Sequence, residues 1–316
     1  IIVPQDWFAI VFNPSFPYRL AHMAMAAFLV SALLVAATAA FHLLKGRRDA
    51  LVKKSFSMAM WMILALAPLQ MFVGDLHGLN TLEHQPAKLA AMEGHWETNK
   101  DHGMPLYLFG IPDMQAEETK YAIGIPNLGS LIMTHTLDGE VKGLKEFAPE
   151  DRPNSLVVFW SFRIMVGLGV LMILMAVLGA WLRKTDKFYD SVWLHRFALY
   201  MGPSGFIALL AGWFTTEVGR QPWVVYGVLR TKDTLSPVSA EQVGLTLIIF
   251  VMVYFIVFGV GIFYMLKLMR KGPEFIHSAP HSEQAVIQAS KRPLSTIDDE
   301  NDLNKENPKQ DQENQK

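Results

Sequence analysis

The chain has 316 residues, is 51% hydrophobic and 18% charged, and carries a formal net charge of −1. Soluble domains carry about 25% charged residues, and a charge this close to zero argues against nucleic acid as a partner. With no cysteine in the sequence, disulfides, thiolate iron–sulfur clusters and covalent CxxCH haem attachment are excluded.

The chain opens IIVPQDWFAIVFNP, without a positively charged n-region or a cleavage site, which reads as the interior of a longer protein. Five stretches are apolar for about 20 residues or more, enough to cross about 30 Å of hydrocarbon. The first runs over 18–44, with His22 about one turn inside it. Ionisable groups at such depth are costly and default to function. His22 is therefore either an axial haem ligand or a histidine donating to a neighbouring helix. A basic cluster (Lys45, Arg47, Arg48, Lys53, Lys54) precedes the second span, 56–73.

A mixed-polarity loop follows over 74–154. Loops this long are usually functional or disordered, and the segments KLAAMEGHWE and LYLFGIP argue for order. Leu89, Met92 and Trp96 fall at helical spacing, leaving Lys88 and Glu93 on other faces. That pair could bind and deprotonate a quinol hydroxyl, which needs a proton acceptor near bulk water, or be two solvated charges on a surface helix.

The third span, 156–182, holds Arg163 and Met165. Ser161, Met165 and Gly169 share one helix face. That small-residue face admits either a flat porphyrin or a closely packed helix. Met165 lies about 15 Å into its span, compatible with a haem on edge that takes His22 as its other ligand. A buried guanidinium at Arg163 needs an anion, and a haem propionate would serve. It stands about 200° round the helix from Met165, so both address one haem only if the arginine wraps round.

More basic residues (Arg183, Lys184, Lys187, Arg196) lead into the fourth span, 192–218, where Gly202-Pro203-Ser204-Gly205 predicts a kink. At its end Trp213, Glu217 and Arg220 share a face. The simpler reading is a Glu217–Arg220 ion pair. The alternative is a carboxylate ligating a high-spin haem iron, with Arg220 on a propionate. The fifth span, 243–269, ends in Lys267, Arg270 and Lys271, and the polar tail over 274–316 is too poor in apolar residues to fold. By the positive-inside rule the basic clusters and the tail are cytoplasmic, and the 74–154 loop is outside. Trp160, Trp213 and Trp223 then fall near the outer boundary. The expected fold is an all-α integral membrane bundle of five spans with a large extracytoplasmic loop, a membrane domain over 1–273, and a disordered tail.

Five motifs occur in register on these elements: KLAAMEGHWET at 88–98, LFGIPD at 108–113, GLKE at 143–146, FRIM at 162–165 and GRQPW at 219–223. Together they resemble subunit I of cytochrome bd-type quinol oxidases. GLKEF passes almost directly into the third span, so the chain is similar to the subclass with a short Q-loop. The resemblance implies a terminal oxidase of the bacterial cytoplasmic (inner) membrane. Such an enzyme oxidises ubiquinol or menaquinol at the periplasmic side, reduces O2 to water and builds a proton gradient. It implies His22 and Met165 as axial ligands of haem b558 and Glu217 as the ligand of haem b595. Trp213 then stands between these haems, Arg163 and Arg220 associate with them, and Lys88 and Glu93 form the quinol site. Subunit II, and in some relatives a small accessory subunit, would be partners.

The family's first four helices have no counterpart here. They hold residues near the third haem, haem d or a b-type haem in its place, so the fragment alone is expected to be inactive. Two further readings stay open: a transporter or channel piece with Arg163 and Glu217 lining a polar pathway, and a simple b-type electron-transfer cytochrome using His22 and Met165 alone.

Overall fold

The structure is a computed structural model that describes residues 5–100, 102–234 and 238–272; the expected disordered tail lies outside them. After a short helix α1 (Trp7–Val11), helix α2 (Phe16–Leu44) starts with Pro17 in its first turn, where a missing N–H costs nothing. Asp49 then caps α3 (Ala50–His84), its carboxylate accepting the Val52 N–H at 2.9 Å.

Helix α3 runs eleven residues past the predicted end of the second span, through Gly74, Asp75, His77 and Asn80. Those residues dilute hydropathy without breaking the helix. Its own polar side chains bond its carbonyls instead: Thr81 Oγ1 donates to His77 O (2.8 Å) and His84 Nδ1 meets Asn80 O (3.0 Å).

The third span is α6 (Ser155–Lys184), capped by Asn154. The fourth breaks at the expected place into α7 (Val192–Met201) and α8 (Ser204–Gly219). Pro203 has no N–H to offer the Leu199 carbonyl, which accepts the Gly202 N–H at 3.2 Å instead, and Ser204 Oγ donates to the Met201 carbonyl at 2.6 Å. Gly205 lets α8 close on α2: a Cβ there would stand 3.0 Å from the Val30 Cα. The fifth span is α9 (Ala240–Lys271). All five are long and apolar enough to cross a membrane, and the chain is an all-helical membrane bundle.

The bundle core joins α2, α3, α6 and α7. Leu33, Ala36 and Ala40 face Phe56, Ile63, Met175, Leu194 and Ala198, all fully buried. Alanines along one side of α2 bring its neighbours close, as membrane helices require when burial from water no longer drives association. Helix α9 buries none of its described side chains and meets α2 at its far end, where His42 Nε2 lies 2.9 Å from the Met269 carbonyl.

The described residues of the 74–154 loop are ordered. It holds α4 (Pro86–Glu93), an antiparallel hairpin of β1 (Leu106–Asp113) and β2 (Glu118–Ile125), and α5 (Leu128–Thr134). The LYLFGIP patch is therefore a strand. A second small hairpin pairs β3 (Trp223–Val225) with β4 (Leu229–Arg230). Side chains satisfy much of the loop backbone. Asn99 bridges the His102 and Gly139 carbonyls (2.9 Å each) and the Val141 N–H (2.9 Å). The GLKE segment docks by main-chain bonds, Leu144 N–H to His95 O at 2.9 Å and Lys145 N–H to Trp96 O at 3.0 Å.

Candidate functional site

Helix α4 is the element that carries loop chemistry onto the bundle. Pro86 starts it and Gly94, at φ +67°, ends it in the left-handed conformation. Gly94 also seats it against α6, since a Cβ there would stand 3.0 Å from the Phe159 ring. Ser155 Oγ donates to the Ala91 carbonyl at 3.1 Å. Lys88 and Glu93, five residues apart, point about 140° from each other, toward two different helices. Both are buried, with 5% and 1% of their surface exposed, so the reading of two solvated charges does not hold.

Glu93 meets Arg163 of α6, Oε2 to Nη2 at 2.6 Å. The same guanidinium donates from Nε to the Tyr107 carbonyl (2.6 Å) and lies 4.7 Å from the Phe159 ring centre. A loop carboxylate thus supplies an anion to the Arg163 guanidinium. The docking of α4 was not visible in the spacing of α6.

Lys88 packs under the end of α8: a Cβ on Gly219 would lie 3.0 Å from Lys88 Cγ. Burial, with the Arg19 and Arg220 charges adding to it and Glu217 opposing, pushes the Lys88 ammonium down to about 8. Beside it Glu217 and Arg220 form the expected ion pair at 2.8 Å, and Arg220 Nη1 donates to Trp223 O at 3.1 Å. Arg19, Gln85, Glu217, Arg220, Trp223 and Tyr226 line a cavity of about 410 Å³. Trp213, one turn earlier on α8, is largely exposed.

The two axial-ligand candidates rest against different helices. A Cβ on Gly212 of α8 would lie 2.8 Å from Met165 Sδ, and Ser161 Oγ shares a 2.8 Å hydrogen bond with Thr215 of α8. The small-residue face of α6 is therefore used for helix packing at these positions. His22 lies against α3: a Cβ on Gly74 would be 3.3 Å from its Cε1, and the His77 ring centre is 6.1 Å away. His22 Nδ1 is buried with no hydrogen-bond partner, an unusual state for a polar atom unless something else takes it up.

His77 escaped sequence reasoning because the second span was ended at residue 73; a polar residue in register with the helix period was the available signal. Gly212 and Gly219 escaped too, since a close approach leaves no mark in the sequence. His95 is a further buried group, 5.4 Å from the Tyr107 ring and with Nε2 unpartnered. Burial pushes it down to about 4.

The family model described as cytochrome bd terminal oxidase subunit I matches residues 1–273. A cytochrome bd ubiquinol oxidase subunit 1 of Bacillus subtilis (strain 168) is 34% identical over 303 residues, covering 92% of this chain and 63% of the relative. A cytochrome bd-II ubiquinol oxidase subunit 1 of Escherichia coli (strain K12) is 29% identical over 346 residues, covering 88% of this chain and 66% of the relative. The solved structure of bd oxidase from Geobacillus thermodenitrificans aligns with a TM-score of 0.77 at 33% identity, covering 86% of this chain and 62% of its own. The chain spans under two thirds of the length of each.

Proposed function

The chain belongs to the cytochrome bd terminal oxidase subunit I family, and from that premise we propose that it is the haem-bearing, quinol-oxidising part of a terminal oxidase that reduces O2 to water. It is a bacterial inner-membrane protein. The loop over 74–154 is periplasmic in this reading and the tail cytoplasmic, with protons drawn from the cytoplasm. Subunit II and a small accessory subunit are the partners, and α9, apolar and unburied along its described length, offers them or lipid a surface.

One observation carries the reading. Helix α4 delivers Lys88 and Glu93 onto the ends of α8 and α6, the two helices that also hold Glu217 and Met165. Redox chemistry at a quinol needs its proton acceptor and its electron acceptor close together, and α4 makes the loop continuous with the ligand candidates.

The donor set fits haem. The orphaned Nδ1 of His22 marks a buried imidazole whose contacts are incomplete. An imidazole with a thioether suits a low-spin iron, and that pairing raises its potential. His22 and Met165 would hold haem b558. Glu217 would hold haem b595, with Arg220 and Arg19 beside a cavity that suits anionic groups; haem d or a third b-type haem would be ligated outside this chain. Bound haem supplies the one-electron chemistry that side chains lack.

The chain's own residues handle the quinol's protons. Glu93 accepts a hydroxyl proton. Arg163, held by the Tyr107 carbonyl, orients that carboxylate. The Lys88 ammonium donates to a quinol oxygen, and burial excludes water that would compete. The test of the whole is a reduced-minus-oxidised spectrum of the assembled protein. The oxidase reading expects b-type bands. A colourless protein would favour the transporter reading, and bands unchanged by loss of Glu217 would favour the simple cytochrome.

Two expected outcomes follow from the geometry. Gly212→Ala places a methyl 2.8 Å from the present position of Met165 Sδ, too close for both to stay. A flexible thioether yields at little cost in stability, so the protein should assemble while its low-spin haem band shifts or broadens. An unaltered spectrum would detach Met165 from the iron. For Lys88, the folded value near 8 lies below the unfolded value of about 10.4. The cost of burying its charge is therefore full below pH 8 and is relieved as pH rises from about 8 to about 10.4. The quinol-binding ammonium is lost over the same rise, so KM for quinol should climb above pH 8. Lys88→Met should show a high KM at pH 7 with no further climb, and a parallel climb in that variant would assign the titration elsewhere.

A further inference from the structure

Three contacts set the β1–β2 hairpin against the first turns of α6. The Tyr107 carbonyl accepts from Arg163 Nε at 2.6 Å, the Phe109 ring lies 5.3 Å from Trp160, and Met114 Sδ accepts the Ser155 N–H at 3.3 Å. Strand β1 therefore runs alongside α6 in the opposite sense, with its start deepest. Counted along α6, Trp160 lies about 7.5 Å and Arg163 about 12 Å below Ser155. Trp160 and Trp181 are 21 residues apart on this helix, about 31 Å. That matches the thickness of a hydrocarbon layer bounded by aromatic residues. Trp160 thus marks the boundary between headgroups and acyl chains on the loop side.

Polarity along the hairpin follows the same depth scale. Phe109 and its cross-strand partner Ile123 stand at the level of Trp160, and Leu106 pairs with Ile125 below them. Asp113, Gln115, Glu117, Glu118 and Lys120 gather at the tip, where Asp113 and Lys120 pair at 2.6 Å. The side chains near the base are bare: Tyr121 is 78% exposed and Ile123 66%, with Leu108, Phe109 and Ile125 also exposed. A hairpin standing in water has no reason to expose isoleucines at its base and collect carboxylates at its tip.

We propose that the β1–β2 hairpin is seated in the bilayer leaflet on the loop side, with Phe109 and Ile123 at the acyl–headgroup boundary, Tyr121 among the headgroups, and the tip from Asp113 to Lys120 in water. The occupant of this apolar face is lipid, because the face continues the surface of a spanning helix at matching depth. Strand β2 pairs only with β1 among the described residues, and an open edge cannot lie in the hydrocarbon core. That limits immersion to the Ile123–Ile125 end of β2, and leaves the rest of the free edge to be bonded by headgroups and water. The seating also places the Tyr107–Arg163–Glu93 contacts about 4.5 Å on the hydrocarbon side of that boundary. A quinol, itself dissolved in the bilayer, would then reach Glu93 sideways from the membrane. This last point rests on the oxidase reading, whereas the seating does not.

The chain has no cysteine of its own, so each introduced cysteine is the one labelling site this chain carries, and the unsubstituted complex treated alike gives the background. Ile123→Cys, Tyr121→Cys and Gln115→Cys, each carrying an environment-sensitive fluorophore, are to be measured in the assembled oxidase in phosphatidylcholine vesicles. Quenchers are a lipid nitroxide high on the acyl chain and aqueous iodide. The label at 123 should be quenched at least two-fold more by the nitroxide than the label at 115, and iodide should reverse that order. Equal iodide quenching at 123 and 115 would put the hairpin in water and overturn the proposal. Shielding of 123 from both quenchers would show a protein partner on this face and overturn it equally. A haem spectrum missing from the unlabelled complex would defeat the oxidase reading and leave the quenching result standing.

Discussion

His22→Ala is expected to abolish the low-spin b-type signal of the assembled oxidase. The His22 imidazole keeps a buried Nδ1 without a hydrogen-bond partner, as His42 does toward the other end of α2, and the thioether of Met165 cannot replace a nitrogen ligand. Loss of the ring would remove the proposed nitrogen ligand and leave space beside Gly74. His77 makes the experiment sharper, because its ring centre is 6.1 Å from that of His22. His77→Ala should keep the signal. If His22→Ala kept it and His77→Ala lost it, the ligand would be the histidine of α3, and the one on α2 would be a packing residue. Reduced-minus-oxidised difference spectra of both variants decide this.

Glu93→Ala should be the most damaging change in the loop. It strips the carboxylate from a guanidinium whose side chain is 11% exposed. Breaking a buried pair from one side costs about 3–5 kcal/mol. The Tyr107 carbonyl and the Phe159 ring offset part of that cost. Glu93→Gln separates stability from chemistry, because the amide oxygen still accepts from Arg163 but takes no proton at neutral pH. A general base contributes about 10²- to 10⁴-fold, so Glu93→Gln should assemble with its b-type bands intact and lose quinol oxidation by about that factor. Steady-state quinol kinetics beside a thermal unfolding midpoint check it. Kinetics equal to the parent would make Glu93 a structural partner of Arg163 and nothing more.

The lesson from these residues is about range. The break at Gly202–Gly205 was legible because proline and glycine act on their own backbone. The apolar span over 56–73 was legible, but not that its helix runs on to His84, because hydropathy measures composition, whereas Thr81 and His84 hold α3 together by local bonds to its carbonyls. The Glu217–Arg220 pair was legible because one helix turn brings its members together. Neither the Glu93–Arg163 pair nor the burial of Lys88 was legible, because each depends on where α4 docks.

What the sequence determined by itself is therefore whatever one segment can express alone: five apolar spans, their helical periodicity, the kink, and a set of side chains suited to haem and quinol. Tertiary structure decided which of those side chains meet, because burial and charge pairing belong to contacts between segments 70 residues apart. A carboxylate and a guanidinium that read as separate features become one buried unit when Gly94 lets α4 close on α6.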